Sequence, residues 1–143
     1  MSEAKRGLIL CTGNSARSQM AEGLLNKLGD GKLTVESAGV TPSLVRLGAV
    51  EAMRAIGIDI SGQRSKSVDE FAGQNFDFII TVCDNAKKTH PVFSGSAKRI
   101  HYSFVDPPPE NVGNDNARLM IFREVRDEFN IWLADFVRER RRR

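Results

Sequence analysis

The sequence predicts an α/β fold, a three-layer doubly wound domain around a four-stranded parallel sheet, and three observations carry that expectation. Short apolar runs alternate with longer segments of helical periodicity, the pattern of β-α-β units. The run Phe76-Asp77-Phe78-Ile79-Ile80-Thr81-Val82 is almost continuously apolar, as a strand covered on both faces requires. Chemically capable side chains gather where the apolar runs end, at Cys11, Ser37, Cys83 and Asp106. In open parallel sheets that edge is where ligands bind.

Arg6 to Leu10 predicts the first strand, broken by Cys11-Thr12-Gly13-Asn14-Ser15-Ala16-Arg17-Ser18. Met20, Leu24, Leu25 and Leu28 follow at steps of three and four, predicting a helix that Gly29 and Gly31 stop. Leu33 to Ser37 predicts the second strand. After Pro42 and Ser43, the spacing of Leu47, Val50, Met53, Ala55 and Ile56 predicts a helix closed by Gly57. A loop from Ile58 to Ser67 and a short helix near Val68 to Gln74 lead to the third strand, Phe76 to Val82. Ile100 to Val105 predicts the fourth, ended by Asp106-Pro107-Pro108-Pro109, because proline continues neither a helix nor a ladder. From about Asn116 to Arg140, Leu119, Phe122, Val125, Phe129, Trp132, Leu133 and Phe136 fall on one helical face.

With 41% hydrophobic and 27% charged residues, the 143-residue chain lies outside disordered, collagen-like and membrane compositions. A single domain over residues 1–143 is expected. A chain of this length removes about 68–70% of its unfolded surface from water, so it needs neither disulfide nor structural metal to hold a core. The two cysteines therefore call for another role. No apolar run approaches the roughly 18–20 residues that cross a bilayer, and Gly7-Leu8-Ile9-Leu10 is too short for a secretory segment. No membrane partner is expected, and a cytoplasmic, reducing compartment that keeps thiols free is. The net charge of +3 resides in the tail 138–143, where five arginines against Glu139 carry +4 and leave −1 for the rest. Arginine runs bind nucleic acid, but cations also complement the dipole at a helix C-terminus, so the tail reads as a solvated helix end without a nucleic-acid partner.

Chemistry concentrates in the segment from Cys11 to Ser18. Gly13 and Asn14, the residue types that most easily take positive φ, lie in a loop joining a strand directly to a helix start. Such a loop, here Thr12, Gly13, Asn14, Ser15 and Ala16, can turn its N–H groups inward. Together with the helix dipole it binds a tetrahedral oxyanion, which Arg17, beside Ser18 in the first turn, closes with a two-pronged guanidinium contact. The same field stabilises a thiolate, making Cys11 the candidate nucleophile. A small buried hydrophobe at a strand end would account for Cys11 alone, but not for the Gly, Asn, Ser and Arg around it.

These residues resemble the low-molecular-weight tyrosine phosphatase superfamily, whose phosphate loop has cysteine, five residues and arginine, then serine or threonine. The resemblance implies that Ser18 hydrogen-bonds the thiolate, that Asn14 braces the loop, and that Asp106, standing before Pro107, is the general acid. The chain more closely resembles the arsenate reductases built on this fold. The segments Cys11-Thr12-Gly13-Asn14-Ser15, Ser18-Gln19-Met20-Ala21-Glu22-Gly23, Glu36-Ser37-Ala38-Gly39, Ala49-Val50-Glu51-Ala52-Met53, Gly57-Ile58-Asp59-Ile60-Ser61 and Val82-Cys83-Asp84 match their landmarks in order. The implied activity is reduction of arsenate to arsenite. Cys11 attacks arsenate, Arg17 and the loop bear the oxyanion charge, Asp106 protonates the departing oxygen, and Cys83 resolves to a disulfide with Cys11.

A phosphatase using a phosphocysteine needs one thiol and an acid, whereas two-electron reduction needs a thiol pair, so Cys83 favours the reductase. Pro108 and Pro109 stand where tyrosine phosphatases of this superfamily carry aromatic residues that flank the substrate ring, which argues for a bare oxyanion, arsenate or phosphate. A purely anion-binding module would not need Asp106. The thioredoxin-coupled reductases carry a third cysteine where this chain has His90, so the Cys11 to Cys83 bond must be opened from outside. The expected donor is thioredoxin, glutaredoxin with glutathione, or another low-molecular-weight thiol, and no other cofactor is implied. A potassium site known in some of these reductases uses residues matching Asn14, Glu22 and Ser37 with a threonine and an aspartate. Arg64 and Lys66 fall at those last two positions, so no metal is expected and Lys66 is expected to pair with Glu22 instead. His101, inside a strand pattern, reads as structural.

Overall fold

The computed structural model describes residues 5–11, 14, 16–29, 31, 33–39, 43–71, 73–82, 98–101 and 115–141. Among these, strands β1 (Lys5–Cys11), β2 (Leu33–Gly39), β3 (Phe78–Thr81) and β4 (Lys98–His101) form one parallel sheet in the order β2-β1-β3-β4. Helices α1 (Arg17–Gly29), α2 (Leu47–Arg54) and α3 (Asp115–Arg141) complete the described regular elements, with a single 3-10 turn at Val68–Phe71. This is the α/β class that the alternating pattern predicts. β1 lies inside the sheet, flanked by β2 and β3, and its Leu8, Ile9 and Leu10 are buried whichever face they point to.

Helices α1, α2 and α3 pack on one another, and α1 also packs on β1 and β2. The apolar face of α3 seats Phe122, Phe129 and Leu133 in the core, and its Phe136 meets Phe78 of β3 edge-on at 5.0 Å. Two glycines permit close approach: a Cβ on Gly7 would stand 2.2 Å from the Phe78 ring, and one on Gly48 would stand 2.4 Å from Phe122. α2 ends at Arg54, short of the Ala55 and Ile56 expected in it, and Gly57 at φ +80° closes the turn that follows. Its N–H donates to the Arg54 carbonyl, and that of Ile58 to Met53, satisfying carbonyls that the last turn leaves open.

The boundaries differ where side chains compete with the backbone. β3 starts at Phe78, not Phe76, because Asp77 exchanges two bonds with Arg6. The Asp77 N–H donates to the Arg6 carbonyl at 2.8 Å, and Asp77 Oδ2 accepts the Arg6 N–H at 2.8 Å. The helix expected near Val68 to Gln74 is one 3-10 turn; the Ser67 hydroxyl oxygen accepts the Asp69 N–H, and Gly73 at φ +80° turns the chain away. β2 runs on to Gly39, so Ser37 lies two residues inside the strand rather than at its end. β4 begins two residues early at Lys98, and the rest of the predicted strand, 102–105, lies outside the described residues. Thr81 and His101, paired in register, share a 2.7 Å bond between Oγ1 and Nδ1, in keeping with a structural His101. No helix among the described residues is long and apolar enough to cross a membrane.

Candidate active site

Cys11 is the last residue of β1, and its thiol is buried. It pairs in register with Gly39, whose N–H donates to the Lys66 carbonyl at 2.8 Å. Helix α1 opens at Arg17, and the Ala16 carbonyl accepts the Met20 N–H at 2.9 Å as the helix begins. The helix start therefore falls at the arginine of the Cys-x5-Arg pattern. Between the two elements Asn14 takes φ +48°, as its neighbourhood in the sequence predicts, and is fully buried.

All four hydrogen-bonding positions of the Asn14 carboxamide are used. Its Nδ2 donates to Ser18 Oγ at 2.8 Å and to Ser37 Oγ at 2.9 Å. Its Oδ1 accepts from Gln19 Nε2 at 3.0 Å and from the Lys66 N–H at 2.8 Å. Four bonds of fixed direction leave one orientation for the amide. Because Ser18 Oγ accepts from Asn14, its own proton remains to be donated elsewhere. Ser37 accepts from Asn14 and donates to Glu22 Oε1 at 2.7 Å. Gln19 extends the network outward, accepting from Gln63 Nε2 at 2.7 Å and donating to the Arg64 carbonyl at 3.0 Å.

Lys66 closes the network. Its ammonium lies 3.2 Å from Glu22 Oε1 and 3.0 Å from Glu36 Oε2, and the side chains of Lys66 and Glu22 are each only 8% exposed. The expected Lys66–Glu22 pair is present, with Glu36 as a second partner. Arg64 corrects the expectation of two cations here. Its guanidinium turns outward to grip Glu70 with bonds of 3.0 and 2.6 Å, and that contact holds the Glu70 carboxyl below its ordinary range. Only the backbone carbonyl of Arg64 joins the buried network. Potassium does not fit these residues, because an ammonium already stands against the Glu22 oxygen that also accepts the Ser37 hydroxyl hydrogen bond.

Of the predicted site residues, Cys11, Asn14, Ala16, Arg17 and Ser18 lie together at the carboxyl edge of β1. Thr12, Gly13, Ser15, Cys83, His90 and Asp106 lie outside the described residues, as do Pro107, Pro108 and Pro109. The Val82 N–H donates to the Leu10 carbonyl at 3.0 Å, so the residues that precede the two cysteines are bonded to each other. Gln19, Gln63 and Glu36 were not singled out by the sequence. Gln19 sits one step after Ser18 and three before Glu22, and that polar cluster ahead of the apolar Leu24 and Leu25 was the available signal.

A parallel α/β sheet with a thiol at the end of an inner strand and a braced left-handed asparagine before a helix start defines a doubly wound protein with its candidate site at the strand's carboxyl edge. The chain belongs to the low molecular weight phosphotyrosine protein phosphatase family, whose model matches residues 7–139. It is 43% identical over 128 residues to an arsenate reductase of Halalkalibacterium halodurans, covering 89% of this chain and 91% of that protein. It is 41% identical over 128 residues to an arsenate reductase of Bacillus subtilis, with the same coverage of both chains. Among solved structures, an arsenate reductase in its oxidized state superposes with a TM-score of 0.79 at 30% identity, covering 94% of this chain and 98% of that one.

Proposed function

We propose that this protein reduces arsenate to arsenite, with Cys11 as the nucleophile of a Cys-x5-Arg oxyanion loop. The observation that carries this reading is similarity to arsenate reductases along nearly the whole chain, 43% identity over 128 residues in one case. The position of Cys11 at the end of β1, with Asn14 braced beside the start of α1, supports it. In this reading the domain spans residues 1–143 and works in a reducing compartment.

Thr12, Gly13, Asn14, Ser15, Ala16, Arg17 and Ser18 hold the arsenate oxygens, and the helix start and Arg17 offset their charge. The Cys11 thiolate forms a sulfur–arsenic bond while one arsenate oxygen leaves as water, protonated by Asp106. The Cys83 thiolate then attacks the Cys11 sulfur. The sulfur–arsenic bond breaks with its electron pair going to arsenic, which passes from the +5 to the +3 state and departs as arsenite. A Cys11–Cys83 disulfide remains, and thioredoxin, glutaredoxin with glutathione, or another small thiol supplies the two electrons that reopen it. The bond between Val82 and Leu10 supports this pairing, since it ties together the residues that lead into the two cysteines.

The family match favours one further reading, hydrolysis of phosphate monoesters through a phosphocysteine at Cys11. Arsenite formation assayed in parallel with thioredoxin, glutaredoxin plus glutathione, and mycothiol systems separates the two. Turnover with at least one donor is expected. Hydrolysis of an aryl phosphate with no arsenite from any donor would establish the phosphatase instead.

A further inference from the structure

We infer that Lys66 is a positioning residue for the oxyanion loop, an internal cation that does through its own ammonium what a bound monovalent ion would otherwise have to do. The inference deepens the proposed function and rests on it for the identity of the loop.

Lys66 reaches Asn14 by two routes. Its backbone N–H donates to Asn14 Oδ1 at 2.8 Å, while its ammonium meets Glu22 Oε1 at 3.2 Å. Glu22 Oε1 accepts a hydrogen bond from the Ser37 hydroxyl at 2.7 Å, and Ser37 in turn accepts from Asn14 Nδ2 at 2.9 Å. Every bond in this ring has a set direction: the Lys66 backbone N–H orients the Asn14 amide, and Glu22 as an acceptor turns the Ser37 hydroxyl so that its oxygen receives Asn14 Nδ2. Glu22 is 6% exposed, so an ionised carboxylate there needs a fixed positive partner. Lys66, itself 7% exposed and further held by Glu36 at 3.0 Å, is that partner. From Asn14 the order passes to Ser18 Oγ at 2.8 Å, in the first turn of α1 beside Arg17. The loop should therefore bind its anion equally well whatever monovalent cation the solution contains.

The test uses phosphate as the probe, so that it reads loop binding without any reductive step. Protection of Cys11 from iodoacetamide is followed by mass spectrometry in the full chain, at constant ionic strength made up with potassium or tetramethylammonium chloride. Wild type is expected to need the same phosphate concentration in both salts. Lys66→Ala should need about 10-fold more phosphate in tetramethylammonium, as coupling within one network implies, and should recover in potassium or methylammonium, which are small enough to enter the vacated space. In Lys66→Met/Glu22→Gln, where the buried carboxylate is removed with its partner and only the part-exposed Glu36 keeps its charge, protection should lie closer to wild type than in Lys66→Ala and should ignore the cation. Wild-type protection by phosphate in Lys66→Ala would overturn the inference, as would a loss that neither cation relieves. Should Lys66→Ala not fold, potassium-enhanced protection of the wild type would overturn it equally. Failure of arsenate turnover in the wild type would instead count against the proposed function and leave this measurement readable.

Discussion

The backbone N–H of Lys66 donates to Asn14 Oδ1 at 2.8 Å across 52 residues of sequence, tying the loop after α2 to the candidate site. The bond fixes which end of the Asn14 amide is oxygen, and so makes Nδ2 the donor to both Ser18 and Ser37.

Asn14→Asp keeps the shape and replaces that double donor with an acceptor facing two hydroxyl oxygens. A loss of about 1–3 kcal/mol in chemical denaturation is expected, the usual consequence of leaving buried polar groups mismatched. Weaker protection of Cys11 by phosphate should accompany it. Wild-type stability would show that the network relaxes freely around residue 14.

Cys11→Ser should abolish arsenate reduction and any phosphatase activity, because a hydroxyl is not ionised at neutral pH by fields of this size. Cys83→Ser should remove reductive turnover while sparing slow hydrolysis of an activated aryl phosphate. Reduction that survives the second change would mean that a small thiol attacks Cys11 directly.

Asp106→Asn should preserve phosphate affinity and lower the reduction rate about 10²- to 10⁴-fold, the usual worth of general acid catalysis. Arg17→Lys should act in the opposite sense and weaken phosphate inhibition, since an ammonium cannot reproduce a two-pronged contact. An unchanged inhibition constant would remove Arg17 from the oxyanion site.

His90→Cys should add a third thiol to which the disulfide can pass, and so raise turnover supported by thioredoxin relative to that supported by small thiols. Equal thioredoxin rates in the natural protein and the variant would show that His90 does not select the electron source.

Gly7→Ala tests the packing of β1 on β3, because the added carbon would stand 2.2 Å from the Phe78 ring. Overpacking of a filled core costs about 1–3 kcal/mol, so a clear drop in melting temperature is expected. No change would mean that the Phe78 ring, packed edge-on against Phe136 at 5.0 Å, has room to retreat.

The parallel sheet and its helices were legible because apolar periodicity reports burial, and Phe78, Ile79 and Ile80 on β3 or Phe122 and Phe129 on α3 obey it. The left-handed turn at Asn14 was legible from residue type alone. What periodicity does not encode is a polar side chain buried for the sake of another polar side chain. Gln19 lies in a helix whose residues from Ser18 to Leu25 are all buried, although amides normally face water. The pairing of Glu36 went unread for a different reason: its partner Lys66 lies in a loop, and loops carry no period to place them. Arg64 and Lys66 look equivalent as charges, but Glu70 draws the arginine outward while the lysine turns in.

The two-sided position of β1 also governs when the site proposed around Cys11 can assemble during synthesis. Arg6 cannot bond to Asp77 until 71 further residues have been made, and Leu10 must wait as long for Val82. Until then β1, which ends in Cys11, lacks β3, one of the two neighbouring strands that enclose it in the folded sheet. Long-range parallel pairing is slow to form. If Cys11 is the nucleophile proposed above, a nascent or misfolded copy carries a dormant thiol, and the capacity to attack an oxyanion belongs only to chains that have completed the sheet.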